Sequence, residues 1–309
     1  MSVTDRCDFR CFYCKPPGSV EWLDRSDLLT FEETARLVRV LVGLGIAEVR
    51  LTGGEPTLRR DLPKLVAMVA ELGVDVSMTT HGAHLADLAA RLAAAGLRRV
   101  NVSCDSLKRD RFAQITGRDC LDHVLDGIRE AVRVGLHPVK VNAVLVRGWN
   151  DDEIEDFVRF ARETGVVVRF IEFMPLDAGR RWEPSLVVGR EEVLSRIARL
   201  AAVVPLASDG GPAERFGFCD GPGEVGVIAS VTSPFCASCD RLRLTADGKF
   251  RACLFSREET DLLTPLRRGA SEDEIAALIR GTVLAKPAGH GIGTPVFVRP
   301  DRPMSRIGG

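Results

Sequence analysis

The sequence of 309 residues has no excess of either charge and no long apolar run. Its 42 basic residues balance 43 acidic residues, so the overall field favours neither a nucleic acid nor a membrane surface as partner. No apolar run reaches the roughly 18 residues that suggest a transmembrane helix, and the amino-terminus lacks the layout of a signal peptide. We therefore expect a cytoplasmic protein without nucleic-acid or membrane partners, in which any anion site is local.

Cysteine, by contrast, is present in quantity, with nine residues in the chain. A reducing compartment disfavours a disulfide framework, and an odd count leaves at least one cysteine unpaired in any case. Metal ligation or redox chemistry is therefore the leading interpretation of these cysteines.

Apolar segments along the first two thirds of the chain predict an α/β fold. Runs of β-branched residues alternate with amphipathic helical segments, which is typical of βα units around a parallel sheet. One predicted helix begins at a capping box formed by Thr30 and Glu33. Six such units predict an incomplete (β/α)6 barrel. The candidate strands are residues 2–4, 47–52, 75–79, 99–104, 139–144 and 167–171.

The alternation stops near residue 203. Residues 205–226 are dense in glycine and proline, and short strand-rich regions follow at 225–231 and 242–244. We therefore predict a barrel domain over residues 1–202 and a small carboxyl-terminal domain over residues 203–309.

Polar residues stand at or near the ends of several candidate strands. Barrel enzymes carry their chemistry at the carboxyl ends of the strands, so we expect a site there, although a buried polar residue at a strand end is often only a loop anchor. These residues are Thr79, Thr80, Ser103, Asp105, Asn142, Glu172 and Met174.

The first cysteine group is Cys7, Cys11 and Cys14, which form C-x3-C-x2-C directly after the first candidate strand. Three thiolates on one loop can hold three irons of a [4Fe–4S] cluster and leave the fourth iron open. Zinc is the main alternative, but structural zinc takes four N or S ligands, and no fourth Cys or His lies nearby in sequence.

The second cysteine group is Cys236, Cys239 and Cys253, with the spacing C-x2-C-x13-C. It predicts a second cluster with an open iron, unless Cys219 completes a four-cysteine zinc site. Between these cysteines, Arg241 and Arg243 occupy alternate positions of a candidate strand. They would share one face and suit a phosphate-rich ligand, and a solvated strand face is the alternative.

The first cysteine motif, with Tyr13 before its last cysteine, resembles the defining motif of the radical S-adenosylmethionine (SAM) family. The segment from Gly53 to Pro56 looks like the GGEP element of that family. The resemblance implies that the open iron binds the amino and carboxylate groups of SAM. It also implies that an electron from the cluster cleaves SAM to a 5′-deoxyadenosyl radical.

Nearly the whole chain resembles one branch of that family, the GTP 3′,8-cyclases of molybdenum cofactor (molybdopterin) biosynthesis. The resemblance implies a lyase that converts GTP to (8S)-3′,8-cyclo-7,8-dihydroguanosine 5′-triphosphate, the first step of that pathway. The motifs that carry it are SVTDRCDFRCFYC, RLTGGEPTLRRDL, NVSCDSL, VKVNAVLVRG, RFIEFMP, FCASCDRLRLTADGKFRACLF and the terminal Gly308-Gly309.

This resemblance also implies roles for single residues. Both cysteine groups would hold a [4Fe–4S] cluster, Arg241 and Arg243 would be catalytic, and the diglycine tail would reach the active site, with a frayed terminus as the alternative. The SAM contacts would be Tyr13, Gly54, Ser103 and Met174. The GTP contacts would be Arg50, Thr80, Lys140, Arg241, Leu242 and Arg243.

The expected partners are GTP, an external electron donor, a second copy of the chain in a homodimer, and the cyclic pyranopterin monophosphate synthase that would receive the product. Two features depart from the family. No residue stands seven positions before Cys7, where the family usually has a triphosphate-binding arginine. Either an amino-terminal segment is missing, which we favour, or the protein binds triphosphate with one contact fewer. His81 replaces the usual Asn and reproduces only part of the hydrogen bonding of an amide.

Two of the remaining cysteines match no ligand spacing. Cys104 is best interpreted as a small core residue, and Cys120 receives no role. The rival functions are another radical SAM enzyme with an auxiliary cluster, acting on a peptide, and a non-catalytic zinc protein that uses both cysteine groups for structure.

Overall fold

The computed structural model describes residues 1–15, 18, 22–177, 179–294, 297–300 and 302–308. It contains an eight-stranded sheet, a small three-stranded sheet and helices. The strands are β1 (Glu48–Leu51), β2 (Asp75–Thr80), β3 (Arg99–Ser103), β4 (Val139–Leu145), β5 (Val167–Glu172), β6 (Val203–Pro205), β7 (Glu214–Phe218), β8 (Glu224–Ile228), β9 (Arg243–Leu244), β10 (Lys249–Arg251) and β11 (Thr260–Asp261). The helices are α1 (Phe31–Gly43), α2 (Leu62–Ala70), α3 (Leu85–Ala94), α4 (Arg109–Thr116), α5 (Leu121–Arg133), α6 (Ile154–Thr164), α7 (Arg190–Leu200), α8 (Leu263–Arg267), α9 (Glu272–Leu284) and α10 (Met304–Ile307).

The large sheet has the strand order β1-β2-β3-β4-β5-β8-β7-β6. Its first five strands are parallel neighbours in sequence order, with helices between them, and β8 pairs in parallel with β5. β6 and β7 complete the sheet as antiparallel strands. The predicted α/β class with a parallel sheet is therefore confirmed.

The first predicted strand, residues 2–4, forms a single parallel bridge rather than a strand. Ser2 pairs with Thr52, and the Val3 amide donates to the Thr52 carbonyl at 2.8 Å. The Ser2 amide instead donates to the carbonyl of Leu244 in the small sheet, at 2.7 Å. The segment is thus shared between two sheets, which limits its pairing with β1.

The large sheet does not end at residue 203, where the sequence predicts a domain boundary. The strands β6, β7 and β8 all lie beyond that residue and join the sheet next to β5. The small sheet of β9, β10 and β11 stands apart from it. The boundary near 203 stays a prediction, but the barrel sheet extends beyond it to Ile228.

Helix α1 packs between the large sheet and the carboxyl-terminal part of the chain. It begins at the predicted capping box, in which the Thr30 side chain accepts from the Glu33 amide. Val38 belongs to the core against the large sheet, while Leu37 and Leu41 pack in a second core with the small sheet and α9. Each such burial contributes about 1.5–3 kcal/mol, so α1 fixes the small sheet against the barrel.

The helices are short. The longest, α1, α5 and α9, have 13 residues each. None of the helices in the described part of the chain is both long and apolar enough to cross a membrane.

Candidate active site

The cysteine loop, residues 5–15, is pinned to the turn after β1. The Gly54 amide donates to the Thr4 carbonyl and the Glu55 amide donates to the Arg6 carbonyl, each at 2.7 Å. The two backbones lie so close that a side chain at Gly54 has no room. A Cβ there would meet the carbonyl oxygens of Asp5 and Arg6 at 2.4 Å. The glycine is therefore required by the approach of the loop.

Gly54→Ala should displace the cysteine loop, because backbone atoms cannot move aside as a flexible side chain does. We expect a loss of about 1–3 kcal/mol in the free energy of unfolding, typical of overpacking, and fewer irons per chain after reconstitution. Denaturant titration and iron analysis measure the two effects. Gly43→Ala is the matched control, because a Cβ at Gly43 meets nothing within 4 Å and α1 should gain up to about 1 kcal/mol. Equal behaviour of the two variants would contradict the pinning.

The three thiols of the first cysteine group are free and only partly exposed. Burial raises the pKa of Cys7 to about 12 and that of Cys14 to about 11, although the Lys15 ammonium acts in the opposite direction. Burial likewise raises the pKa of Cys11, and the charges of Asp105 and the other two thiolates add to the shift. Three thiolates so close together need a positively charged partner, which is what a metal centre supplies.

The spacing of the thiols does not fit a single zinc ion. The Zn–S bond is about 2.3 Å, so two sulfurs on one zinc lie at most about 4.6 Å apart. Among the residues that the structure describes, the one group of three Cys, His, Asp or Glu ligand atoms within 4.8 Å of one another is Cys7, Asp8 and His81. Neither group of three cysteines is that compact, so both favour a larger centre than one ion.

Asp105 holds the side chain of Tyr13 in place. Its hydroxyl donates to Asp105 Oδ2 at 2.5 Å, and the Val144 amide donates to Asp105 Oδ1 at 2.9 Å. Burial raises the pKa of Asp105 to about 6, and the hydrogen bond from Tyr13 opposes that shift. Asp105, which the sequence placed near a strand end without a role, therefore fixes the orientation of the tyrosine beside Cys14.

Glu55 organises the ends of β1 and β2. Its carboxylate, 1% exposed, accepts from the Thr80 hydroxyl at 2.6 Å and from the His81 amide at 2.8 Å. The Thr80 hydroxyl in turn accepts from the Gly82 amide at 3.0 Å. Thr80, which the resemblance makes a GTP contact, thus also serves a structural network.

His81 connects that network to the cysteine loop. Its Nε2 lies 2.8 Å from Asp8 Oδ1, and its ring stacks on Phe9 at a centroid distance of 3.8 Å. His84 Nε2 lies 3.1 Å from the other oxygen of Asp8. The hydrogen bond from His81 is the main cause that holds the pKa of Asp8 below its usual range. An imidazole at this position therefore supports the backbone beside Cys7.

Basic side chains from distant parts of the chain converge inside the barrel. They come from three strands of the large sheet and from the segment around β9, and electrostatic interactions couple them. The group, called the cation cluster below, consists of Arg50, Lys140, Arg169, Arg241 and Arg243.

Mutual repulsion marks the cation cluster as a site for an anion. Burial lowers the pKa of Arg169 to about 10; the charges of Arg50 and Arg241 add to the shift, while those of Asp209 and Glu224 oppose it. Burial also lowers the pKa of Arg243 to about 10, with Arg241 as the next cause. The pKa of Lys140 is lowered by burial and then by Arg169. A group of cations that repel one another, with Arg169 buried and the others partly buried, favours a negative ligand.

Few carboxylates balance the cation cluster. Lys140 Nζ lies 3.3 Å from Asp209, and Arg50 lies 2.9 Å from Glu48. Within the described part of the chain, no carboxylate pairs with the other three arginines. The Nε of Arg169 donates instead to the neutral Asn142 side chain at 2.8 Å. The described charges leave a net positive interior.

The cation cluster does not lie at the carboxyl ends of the strands, where the sequence placed the site. Lys140 is the second residue of β4, and Arg169 is the third of β5. Along β4, half-exposed residues alternate with buried ones, so Lys140 shares the accessible face with Asn142. Tyr13 and Asp105, by contrast, belong to the opposite, carboxyl-terminal end. The site therefore extends along the barrel from the cysteine loop to the cation cluster.

The second cysteine group lies next to the small sheet. Cys236 and Cys239 bracket a single helical turn closed by the Cys239 amide and the Cys236 carbonyl at 3.2 Å. Lys286 Nζ donates to the carbonyls of Cys239 and Arg241, at 2.5 and 3.1 Å. Burial tends to raise the pKa of the Cys239 thiol, but hydrogen bonding from Arg241 outweighs it, and the net pKa is lowered.

The remaining predicted residues are dispersed around this space. Ser103 ends β3, half-buried, opposite Asn142. Met174, like Cys253 and Met304, packs against a small apolar cluster of Leu176, Phe255 and Ile292. Leu242 packs into the second core instead of facing an open space.

Cys104, which has no predicted ligand role, is 1% exposed within the main core, as expected, and Cys219, the alternative fourth zinc ligand, is exposed. Of the diglycine tail, Gly308 lies beside Thr52, and Gly309 lies outside the described residues. Glu172, another strand-end residue, accepts from the amides of Val231 and Thr232 and therefore anchors the chain after β8.

Comparison with known proteins is decisive at this point. The family model described as Radical SAM superfamily matches residues 1–161, and that described as Molybdenum Cofactor Synthesis C matches residues 166–292. The chain is 48% identical to GTP 3′,8-cyclase 2 of Mycobacterium tuberculosis, covering 100% of this chain and 88% of the relative. It is 49% identical to GTP 3′,8-cyclase of Streptomyces coelicolor, covering 100% and 92%. The chain belongs to the GTP 3′,8-cyclase family of radical SAM proteins.

Solved structures support the fold of this radical SAM family member. The crystal structure of methylornithine synthase superposes with a TM-score of 0.52 at 17% identity, over 65% of this chain and 60% of that one. Membership in the radical SAM superfamily implies SAM and a [4Fe–4S] cluster as cofactors. The donor set of the cysteine loop, three free thiols too far apart for one zinc, fits that cluster.

One residue of the cation cluster was missed at the sequence level. Arg169 interrupts the apolar strand β5 and is 5% exposed. A lone arginine between buried positions of a strand is the signal that would have indicated it, because a buried charge needs a partner.

Proposed function

We propose that this chain is a GTP 3′,8-cyclase, which converts GTP to (8S)-3′,8-cyclo-7,8-dihydroguanosine 5′-triphosphate in molybdenum cofactor biosynthesis. The observation that carries the proposal is the cation cluster, in which the buried Arg169 and four partly buried basic residues interact inside a radical SAM barrel with few carboxylates to pair with them. A triphosphate is the kind of ligand that relieves this repulsion. The names of the relatives support the same substrate.

The cation cluster would bind and orient the triphosphate. Guanidinium groups present paired N–H donors that match phosphate oxygens, and Lys140 adds a compact charge. Fixing the triphosphate at this end of the barrel would leave the ribose in the space toward the cysteine loop. The chain's contribution is then positioning and exclusion of water, since the cofactor supplies the difficult chemistry.

Cys7, Cys11 and Cys14 would hold the [4Fe–4S] cluster that the family implies. When bound, the cluster and SAM supply the radical chemistry that removes hydrogen from C3′ of the ribose and allows its bond to C8 of guanine. The Tyr13–Asp105 hydrogen bond and the turn at Gly54 hold the cysteine loop in place. The proposed SAM contacts are Tyr13, Gly54, Ser103 and Met174.

We also propose that Cys236, Cys239 and Cys253 hold a second [4Fe–4S] cluster, whose open iron would bind the guanine. The thiols are too far apart for one zinc, and Lys286 and Arg241 provide positive charge beside Cys239. The proposed GTP contacts are Arg50, Thr80, Lys140, Arg241, Leu242 and Arg243, to which the structure adds Arg169.

The proposal extends to partners. A homodimer, an external electron donor and transfer of the product to the cyclic pyranopterin monophosphate synthase are proposed from the resemblance to the family. The cytoplasm, where that pathway and a reducing environment coincide, is the proposed location.

The test is an anaerobic assay of the full chain, reconstituted with iron and sulfide and supplied with SAM, reductant and GTP. Mass spectrometry should detect both 5′-deoxyadenosine and the cyclised guanosine triphosphate. 5′-Deoxyadenosine without the nucleotide product would contradict GTP as the substrate and favour a peptide-modifying enzyme. Neither product from a cluster-replete sample would contradict the enzymatic function as a whole.

A further inference from the structure

The carboxyl-terminal tail, residues 297–300 and 302–308, crosses from the second half of the chain back to the barrel. At its beginning, Arg299 donates to Asp177 at 3.2 Å and to the Trp182 carbonyl at 3.0 Å. At its end, helix α10 leads to Gly308 between Ser2 and Thr52. A Cβ on Gly308 would lie 2.9 Å from the Thr52 methyl group, and its φ is +85°. The tail can therefore lie this close to the barrel only with a glycine at position 308.

A single arginine holds the middle of the tail through two carboxylates. The guanidinium of Arg302 donates to both oxygens of Asp247, at 2.9 to 3.2 Å, and to Glu259 at 2.8 Å. The side chains are 13 to 18% exposed. Such charge-assisted, forked hydrogen bonds are among the strongest polar contacts and fix direction as well as distance. This partly buried geometry is unlike that of a solvated surface ion pair.

The same carboxylates connect the tail to the second cysteine group. The other oxygen of Glu259 pairs with Arg251, which is 1% exposed. Arg251 also donates to the carbonyls of Leu254 and Ser256, in the loop that begins at Cys253. The ion network of Arg302, Asp247, Glu259 and Arg251 therefore links the tail to the loop that begins at Cys253.

The end of the tail reaches the cation cluster. The Gly308 carbonyl accepts a hydrogen bond from Arg243. Ser305 and Ile307, which are 2% and 1% exposed, are buried beside this contact. The contact is short, so it requires the tail to occupy a fixed position.

We propose that Arg302 is a positioning residue. Its paired contacts with Asp247 and Glu259 hold the tail so that the Gly308 carbonyl contacts Arg243. Ordering a chain end costs conformational entropy, which the few contacts of the four-residue helix α10 offset only in part. The ion network supplies the remaining restraint. The expected effect of Arg302 on turnover rests on the proposed function, whereas its effect on the order of the tail does not.

Amide hydrogen exchange of the full-length chain, with and without Arg302→Ala, tests this. The amides of Arg306, Ile307 and Gly308 are hydrogen-bonded within the tail and report its opening. We expect these amides to exchange roughly tenfold faster or more in the variant. Opening of the tail must break the forked ion pair in the wild type, whereas in the variant that pair is absent and opening costs less free energy. Arg280→Ala, at an exposed position of α9, is the matched control and should leave the tail amides unchanged.

Two further variants separate positioning from folding. Asp247→Asn weakens the same pair from the other side and should loosen the tail in the same direction, whereas Arg302→Lys keeps the charge, loses the fork and should restore part of the protection. In turnover, we expect Arg302→Ala to form more 5′-deoxyadenosine per nucleotide product. Tail amides that exchange at the wild-type rate in Arg302→Ala would overturn the proposal. Faster exchange throughout α9 and the small sheet would also overturn it, since Arg302 would then support the domain and not the tail.

Discussion

Cys11→Ser is expected to abolish SAM cleavage, with iron per chain reduced by the content of one cluster. A serine hydroxyl is a poor ligand for iron compared with a thiolate, and the loop offers no other thiol in its place. Loss of an outer-shell partner of a metal ligand costs roughly 10–100-fold, and the loss of a ligand itself should exceed that. Measurement of 5′-deoxyadenosine after anaerobic reconstitution, together with iron analysis, gives both quantities.

Cys120→Ser is the matched control for this prediction. Cys120 lies half-buried at the start of α5, outside both cysteine groups, and makes no side-chain cap there. Its replacement should leave iron content and SAM cleavage unchanged. If Cys11→Ser retained SAM cleavage, the assignment of the cysteine loop as the cluster site would be wrong. If both variants lost activity together, a general loss of folding would be the cause.

Most of the barrel could be predicted from local sequence patterns, because its strands are β-branched runs and its helices are amphipathic segments. The capping box at Thr30 and Glu33 fixed the start of α1 in the same local way. The first strand is shorter than predicted because the Ser2 amide binds Leu244, more than two hundred positions away in the chain. No pattern within residues 2–4 contains that partner.

Long-range pairing also explains why the sheet continues beyond residue 203. β8 adds to β5 across a connection that includes α7 and two other strands, and nothing in its own residues names β5 as its neighbour. The same holds for Tyr13 and Asp105, which are 92 positions apart. Motifs located the cysteines and basic residues, but only the fold shows which groups face one another.

Arg169→Met is expected to weaken GTP binding by about 100-fold or more, while leaving the ligand-free protein folded. Truncating one partner of a buried charge pair costs about 2–5 kcal/mol, much of it because the other charge is left unpaired. Here that other charge would be phosphate. In the ligand-free chain Arg169 is repelled by Arg50 and Arg241, is attracted more distantly by Asp209 and Glu224, and donates its hydrogen bond to the neutral Asn142.

The two effects of this substitution should therefore have different sizes. Methionine preserves much of the buried volume, relieves the repulsion and loses one hydrogen bond, so we expect the free energy of unfolding to change by no more than about 1 kcal/mol. Calorimetric titration with GTP and denaturant unfolding measure the two quantities on the same samples, with iron content as a check on cluster loading. Arg199→Met, at an exposed position near the end of α7, should change neither quantity.

The comparison decides between two roles for the cation cluster. If its purpose were structural, the buried guanidinium of Arg169 would contribute to folding, and its loss would lower the free energy of unfolding while GTP affinity followed the folded fraction. If the cation cluster binds a triphosphate, its repulsion is relieved only when the ligand is bound. Arg169→Met then lowers the affinity for GTP and leaves the free energy of unfolding nearly unchanged. Unchanged GTP binding in a stable Arg169→Met variant would remove Arg169 from the site and, with it, the main structural argument for a triphosphate at this end of the barrel.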